Sequence, residues 1–183
     1  MSKENKHPLH REIGERLESE LKDCDNIEVI RDTACGGKQR IPLFLTEDKS
    51  NDNKLCNVDI MILKNNEIKI IIEIEESNLK PTQILGKLFT SIISKYYIHH
   101  TKNNQEIGMA NNVCFIQVLD TKDLNDEYTK KPEQWEKIKE EIKKILAIEE
   151  LNFSIKTYEI FHGELSDKLL KRISNFIKEK LAK

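Results

Sequence analysis

The sequence predicts a mixed α/β domain in which helices flank a β-sheet, and three features carry that prediction. Leu9, Ile13, Leu17 and Leu21 recur every four residues, the spacing of an amphipathic helix. Residues 57–76, "NVDIMILKNNEIKIIIEIEE", place two apolar strand-like runs around a polar turn. Downstream, strand-like and helical patterns alternate as far as Leu181. The chain has 183 residues, which suits one domain over 1–183 with a core large enough to bury most of its apolar surface.

The elements follow in order. The first helix covers "LHREIGERLESEL", and a short extended run, "NIEVIRDTA", comes after it. "TEDKSNDNKL" is polar and rich in turn formers, so it reads as a mobile loop. Strands are expected over about 57–63 and 67–76. Pro81 suits a first helical turn, and Ile84, Leu85, Leu88, Phe89, Ile92, Ile93, Tyr96 and Tyr97 keep helical spacing up to "YYIHH". "NNVCFIQVLD" reads as a strand, and the polar stretch "TKDLNDEYTKKPEQ" bounds it. A helix through Trp135, Ile138, Ile142, Ile145 and Leu146, a strand "FSIKTYEIFH", and a helix from Leu165 to Leu181 complete an order α, β, β, β, α, β, then α, β, α.

Composition narrows the class. Basic residues number 30 against 32 acidic, which excludes a histone-like polycation and leaves any anion-binding surface to local clustering. No apolar run reaches the length of a membrane span, and "MSKENKHPLH" has no hydrophobic signal core, so a cytoplasmic protein with no membrane partner is expected. Cys24, Cys35, Cys56 and Cys114 form no CxxC pair, which argues for reduced thiols and against a zinc knuckle or redox motif.

The chemistry concentrates in the central hairpin. Strand side chains alternate, so Ile68, Ile70, Ile72 and Ile74 are expected on one face and Lys69, Ile71, Glu73 and Glu75 on the other. The first strand divides into Val58, Ile60 and Ile62 against Asp59, Met61 and Leu63. A three-residue turn from "KNNE" would bury the two aliphatic faces together and set Asp59, Glu73 and Glu75 on one face at one end of the hairpin. Three gathered carboxylates raise one another's pKa values, and a divalent cation relieves the repulsion. Hard oxygen ligands of this kind suit Mg²⁺, with Mn²⁺ as a substitute, and such a site suits phosphodiester hydrolysis. The competing reading is a solvated acidic strand end.

An aspartate opening a strand, a short hairpin, then Glu73-Ile74-Glu75 ending the next strand resembles the PD-(D/E)xK nuclease superfamily. The order α, β, β, β, α, β is similar to that superfamily's core, over about residues 9–120. Val58 stands where a proline is usual, and Glu75 stands in place of the motif lysine, a variant found among restriction endonucleases. The resemblance implies a restriction-endonuclease-like core plus a C-terminal αβα unit, and a Mg²⁺-dependent type II enzyme cutting duplex DNA. It further implies a homodimer paired with a DNA methyltransferase. Asp59, Glu73 and Glu75 would then ligate metal, and Glu75 would orient water. Glu12 or Glu15 of the first helix would support the site, and the sequence leaves both open. Lys80 is a candidate for the displaced positive charge. The alternatives are a structure-selective repair or junction-resolving nuclease, and a nuclease-like DNA-binding module that lost catalysis with the motif lysine.

Three further features bear on DNA. Gln83, Lys87, Thr90, Ser91, Ser94 and Lys95 form the polar side of the helix after Pro81, which is either a phosphate-contacting face or a solvated one. "RDTACGGKQR" combines basic residues with Gly36 and Gly37 and reads as a flexible DNA-contacting loop, not as a P-loop. His99 and His100 lack metal-ligand spacing with any other residue and read as a helix end or loop.

Overall fold

The computed structural model describes residues 7–77, 79–124 and 130–182; part of the polar stretch after Asp120 lies outside them. Helix α1 (Pro8–Leu21) opens on a proline whose missing N–H costs nothing at that position. Strands β1 (Ile27–Arg31), β2 (Ile41–Phe44), β3 (Lys54–Val58), β4 (Ile60–Lys64) and β5 (Glu67–Glu75) precede helix α2 (Pro81–Ile93). Then come β6 (Tyr96–Ile98), β7 (Glu106–Asp120), helix α3 (Lys131–Leu146), β8 (Ile155–Gly163) and helix α4 (Asp167–Ala182). The mixed α/β class holds, with four helices and eight strands among the described residues. No helix among them is long and apolar enough to cross a membrane.

The sheet has a five-stranded part, β1-β4-β5-β7-β8, in which β7 runs parallel to β5 and β8 and the other pairs are antiparallel. The early residues of β7, Glu106–Gly108, pair instead with β6, which continues to β2 and β3. Since β3 leads straight into β4 with only Asp59 between, the strand path bends back on itself at that aspartate. Helices α1 and α4 cover one face of the sheet over Ile60, Ile62, Ile70, Ile72, Ile74 and Ile116. Helices α2 and α3 cover the other over Met61, Ile71 and Phe115, with Trp135 of α3 buried against them. Burial on both faces explains why β5 is an almost unbroken isoleucine run.

Several expectations change. The strand expected over 57–63 is two strands, with Val58 in the α2/α3 core and Ile60 and Ile62 in the α1/α4 core. The hairpin turn is the two-residue Asn65–Asn66, with φ of 54° and 61°, not a three-residue turn. Such a turn alone would set Ile62 opposite the wrong side of β5. A bulge at Lys69 restores the aliphatic pairing of Ile62 with Ile70 and Ile60 with Ile72, and moves Ile68 into the other core. The helix expected to reach "YYIHH" stops at Ile93, and Tyr96–Ile98 is strand β6. Of the polar loop after Leu45, Lys54 and Leu55 belong to β3, and the Asn53 amide ties the preceding turn to Asp48 and Ser50 at 3.1 and 2.9 Å.

"RDTACGGKQR" is a folded turn rather than a flexible loop. The Asp32 carboxylate accepts the Cys35 N–H at 2.9 Å, and Arg31 pairs with Glu18 at 3.3 Å. Gly14 of α1 sits so close that a Cβ there would lie 2.1 Å from the Cys35 carbonyl oxygen, so the turn packs on the helix at a position where only glycine fits.

Candidate active site

The break between β3 and β4 fixes the first site residue. Beyond the Ile60/Ile72 pair the chain leaves β5, and the Ile74 N–H donates to the Asp59 carboxylate (Oδ2) at 2.7 Å. The Asp59 carbonyl accepts the Asp32 N–H at 2.9 Å, so both ends of the residue are held. On β5, Glu73 and Glu75 point toward α2, where the Lys87 Nζ lies 2.7 Å from Glu73 and 2.5 Å from Glu75. Asp59 interacts electrostatically with both Glu73 and Lys87. Glu73 and Glu75 thus share the Lys87 ammonium, and Asp59 acts on Glu73 and Lys87, but among the described residues the three carboxylates do not gather into one tight donor group as His7, His10 and Glu76 do.

The charge balance is unfavourable without a further cation. Three carboxylates face one ammonium, and Glu73 is 1% exposed. Burial, followed by the Asp59 charge, holds the Glu73 carboxyl well above the ordinary range, against the pull of Lys87. Burial works to lower the Lys87 pKa, but Glu73 and then Asp59 outweigh it and raise it, so the ammonium stays charged. A cation bound beside Glu73 would relieve both the burial of its charge and the repulsion from Asp59.

Helix α1 supplies His10, not Glu12 or Glu15. Glu12 is exposed, and Glu15 is an exposed partner of Arg11 at 2.7 Å. His10 is 8% exposed; its N–H donates to Glu76 at 3.1 Å and its Nδ1 lies 2.7 Å from the same carboxylate oxygen. The His10 Nε2 lies 3.7 Å from the Asp59 Oδ2, so the ring stands between the Glu76 and Asp59 carboxylates. One ligand atom each from His7, His10 and Glu76 also lie within 4.8 Å of one another. The Glu76 carboxyl is lowered despite its burial, chiefly by the hydrogen bond from His10.

Lys80 is exposed at the N-cap of α2, and the ammonium that reaches Glu73 and Glu75 is that of Lys87, seven residues further on. Sequence reasoning placed Lys87 on the solvated side of α2. A signal was present, since Lys87 lies three residues after Ile84 and four before Ser91, both buried. His10 had the same kind of signal, three residues before Ile13. Three of the cysteines offer no rival nucleophile: burial pushes the Cys114 thiol up to about 12 and raises Cys35 and Cys56 as well. Comparison with protein-family models, curated proteins and solved structures returned no match.

Proposed function

We propose that this chain is a Mg²⁺-dependent endonuclease hydrolysing phosphodiester bonds of duplex DNA, in the manner of a type II restriction enzyme of the PD-(D/E)xK superfamily, working in the cytoplasm. The observation that carries the reading is the cluster of Asp59, Glu73 and Glu75 at the kinked end of the hairpin, with Lys87 held between the glutamates. Asp59 and Glu73 would hold Mg²⁺ or Mn²⁺, joined by Glu75 and on the α1 side by His10. The metal would polarise the phosphoryl oxygens and lower the pKa of a bound water. Glu75 accepts the proton of the attacking water as its oxygen bonds to phosphorus and the bridging P–O bond to the leaving sugar breaks. Lys87 restores a cation where the motif has its lysine and offsets the charge that develops on the phosphoryl oxygens. Each chain holds one such cluster, so cutting both strands of a symmetric site calls for a homodimer.

Cleavage of mixed-sequence plasmid and phage DNA, with Mg²⁺ and with EDTA, tests this reading. Discrete metal-dependent fragments are expected from wild type and none from Asp59→Ala. Lys87→Ala is expected to cut about 10²–10³-fold more slowly, the cost of losing one preorganised donor to the transition state. The exchange Glu75→Lys with Lys87→Glu keeps one cation beside Glu73 and is expected to recover part of that loss. A second reading is favoured by the grip of Lys87 on both glutamates: a DNA-binding module in which the ammonium has taken the place of a metal. Tight, metal-independent binding without cleavage by folded wild type would establish that reading.

A further inference from the structure

A pocket of about 280 Å³ lies on the outer side of β2 and β3, and Arg40, Lys49, Lys54, His99 and His100 contribute to its lining. No aspartate or glutamate lines it, in a chain with more acidic than basic residues. Among the described residues Arg40, Lys49 and Lys54 make no ion pair; Lys49 donates to the Asn104 side-chain oxygen at 2.6 Å, and no acidic group answers the other two. Other described cations, Lys38 and Lys95 among them, also make no ion pair, so what sets this pocket apart is three such cations around one concavity with no acidic group in its lining. Like charges left together at a concave surface destabilise the free protein slightly and raise the local concentration of anions.

The pocket also holds a buried donor. His99 is 8% exposed, and its Nδ1 accepts the Thr101 N–H at 3.3 Å. With that nitrogen accepting, the ring proton of the neutral imidazole sits on Nε2. Tyr97 stacks on the His99 ring, with centroids 6.0 Å apart and planes 9° from parallel, and fixes its orientation. The site thus offers a guanidinium, two ammonium groups and an oriented N–H, a donor set suited to phosphate oxygens.

Position along the chain relates this pocket to the acidic cluster. Asn57 lines the pocket and stands two residues before Asp59, with only Val58 between them. At about 3.3 Å per strand residue the two positions are separated by roughly 7 Å. A DNA backbone passing Asp59 therefore runs close to the pocket.

We infer that the pocket bounded by Arg40, Lys54 and His99 binds the phosphate backbone of the DNA substrate beside the bond at Asp59, which rests on the nuclease reading of the acidic cluster. It positions the strand and reads no sequence, since its donors address phosphate oxygens rather than base edges.

The test is binding of a fluorescent mixed-sequence duplex in EDTA, titrated between about 50 and 200 mM salt, by wild type, Arg40→Ala/Lys54→Ala and a Lys144→Ala/Lys171→Ala control. The pocket variant is expected to bind on the order of tenfold more weakly, with a log–log salt slope shallower by about 2, while the control matches wild type. Both substituted side chains lack ion pairs, so an unchanged thermal midpoint is expected and separates lost contact from lost fold. Affinity and slope equal to wild type in the pocket variant would overturn the inference even if wild type cuts DNA. A wild type that binds DNA through Arg40 and Lys54 but never cuts it would overturn the nuclease reading and leave the pocket standing. A wild type that binds no duplex overturns both.

Discussion

Glu73 is the residue at which site and stability conflict. Its carboxyl is held above the ordinary value of 4.5, so the folded chain binds that proton more tightly than the unfolded chain does. Stability from this group is therefore present at pH below the ordinary carboxylate value and is lost as pH rises toward the raised one. Glu73→Gln removes the charge and keeps the shape. In EDTA at pH 7.5 this variant is expected to melt at a higher temperature than wild type, with the gap closing as pH falls toward 5. A variant that melts lower at pH 7.5 would show that the Lys87 pair outweighs burial. The same substitution should abolish stabilisation by Mg²⁺, because activity sites commonly retain groups that cost stability. That Glu73 and Glu75 share one side of β5 was legible in the sequence, because alternation along a strand is a local property. His10 and Lys87 were not, because each reaches the cluster through packing of a whole helix, and the sequence shows only that both flank apolar stripes.

At the scale of elements, α2 must be held at the right height for Lys87 to span both glutamates. Gln117 on β7, the residue opposite Glu73 in the ladder, does this from inside the core: its Nε2 donates to the Ile84 carbonyl at 3.0 Å and its Oε1 accepts the Tyr158 hydroxyl at 2.5 Å. Gln117→Leu leaves the Tyr158 hydroxyl buried and unpaired and removes the tie to the Ile84 carbonyl, which is expected to lower unfolding free energy by about 1–3 kcal/mol, read by urea denaturation. Tyr158→Phe removes only the donor to Gln117 and is expected to cost about 1 kcal/mol with the Lys87 site intact. A loss no greater for Gln117→Leu than for Tyr158→Phe would count against this anchoring. Elements were read with uneven success for physical reasons. Helices α1, α3 and α4 carry several turns of one-sided apolar spacing, enough for period to decide. Strands β2 and β6 have four and three residues, and Tyr96 and Tyr97 happen to extend the apolar spacing of α2. Their pairing with distant Leu43 and Phe44 overrides that spacing. The bulge at Lys69 and the turn at Asn65–Asn66 offset each other, which preserved the acidic alignment although the expected turn was wrong.

Across the whole molecule the cluster joins layers that otherwise meet only through the sheet. His10 comes from α1, which packs in one core, and Lys87 from α2, which packs over the other. Asp59 sits between them where the strand path bends, and its carboxylate interacts with groups from both sides. A cation bound at this junction favours the folded state as a unit, by about 2.7 kcal/mol at a hundredfold excess over its dissociation constant. Local opening of either helix breaks the same site, so binding couples two segments that are far apart in sequence. Hydrogen exchange with and without Mg²⁺ reads this coupling: amides around Ile13–Leu17 in α1 and Ile84–Leu88 in α2 are both expected to exchange more slowly with metal, and neither in Asp59→Ala. Protection confined to α2 would remove His10 from the site and leave the carboxylates and Lys87 as its whole extent. Protection confined to α1 would move the cation to His7, His10 and Glu76 and leave Glu73 neutralised by its proton and Lys87 alone.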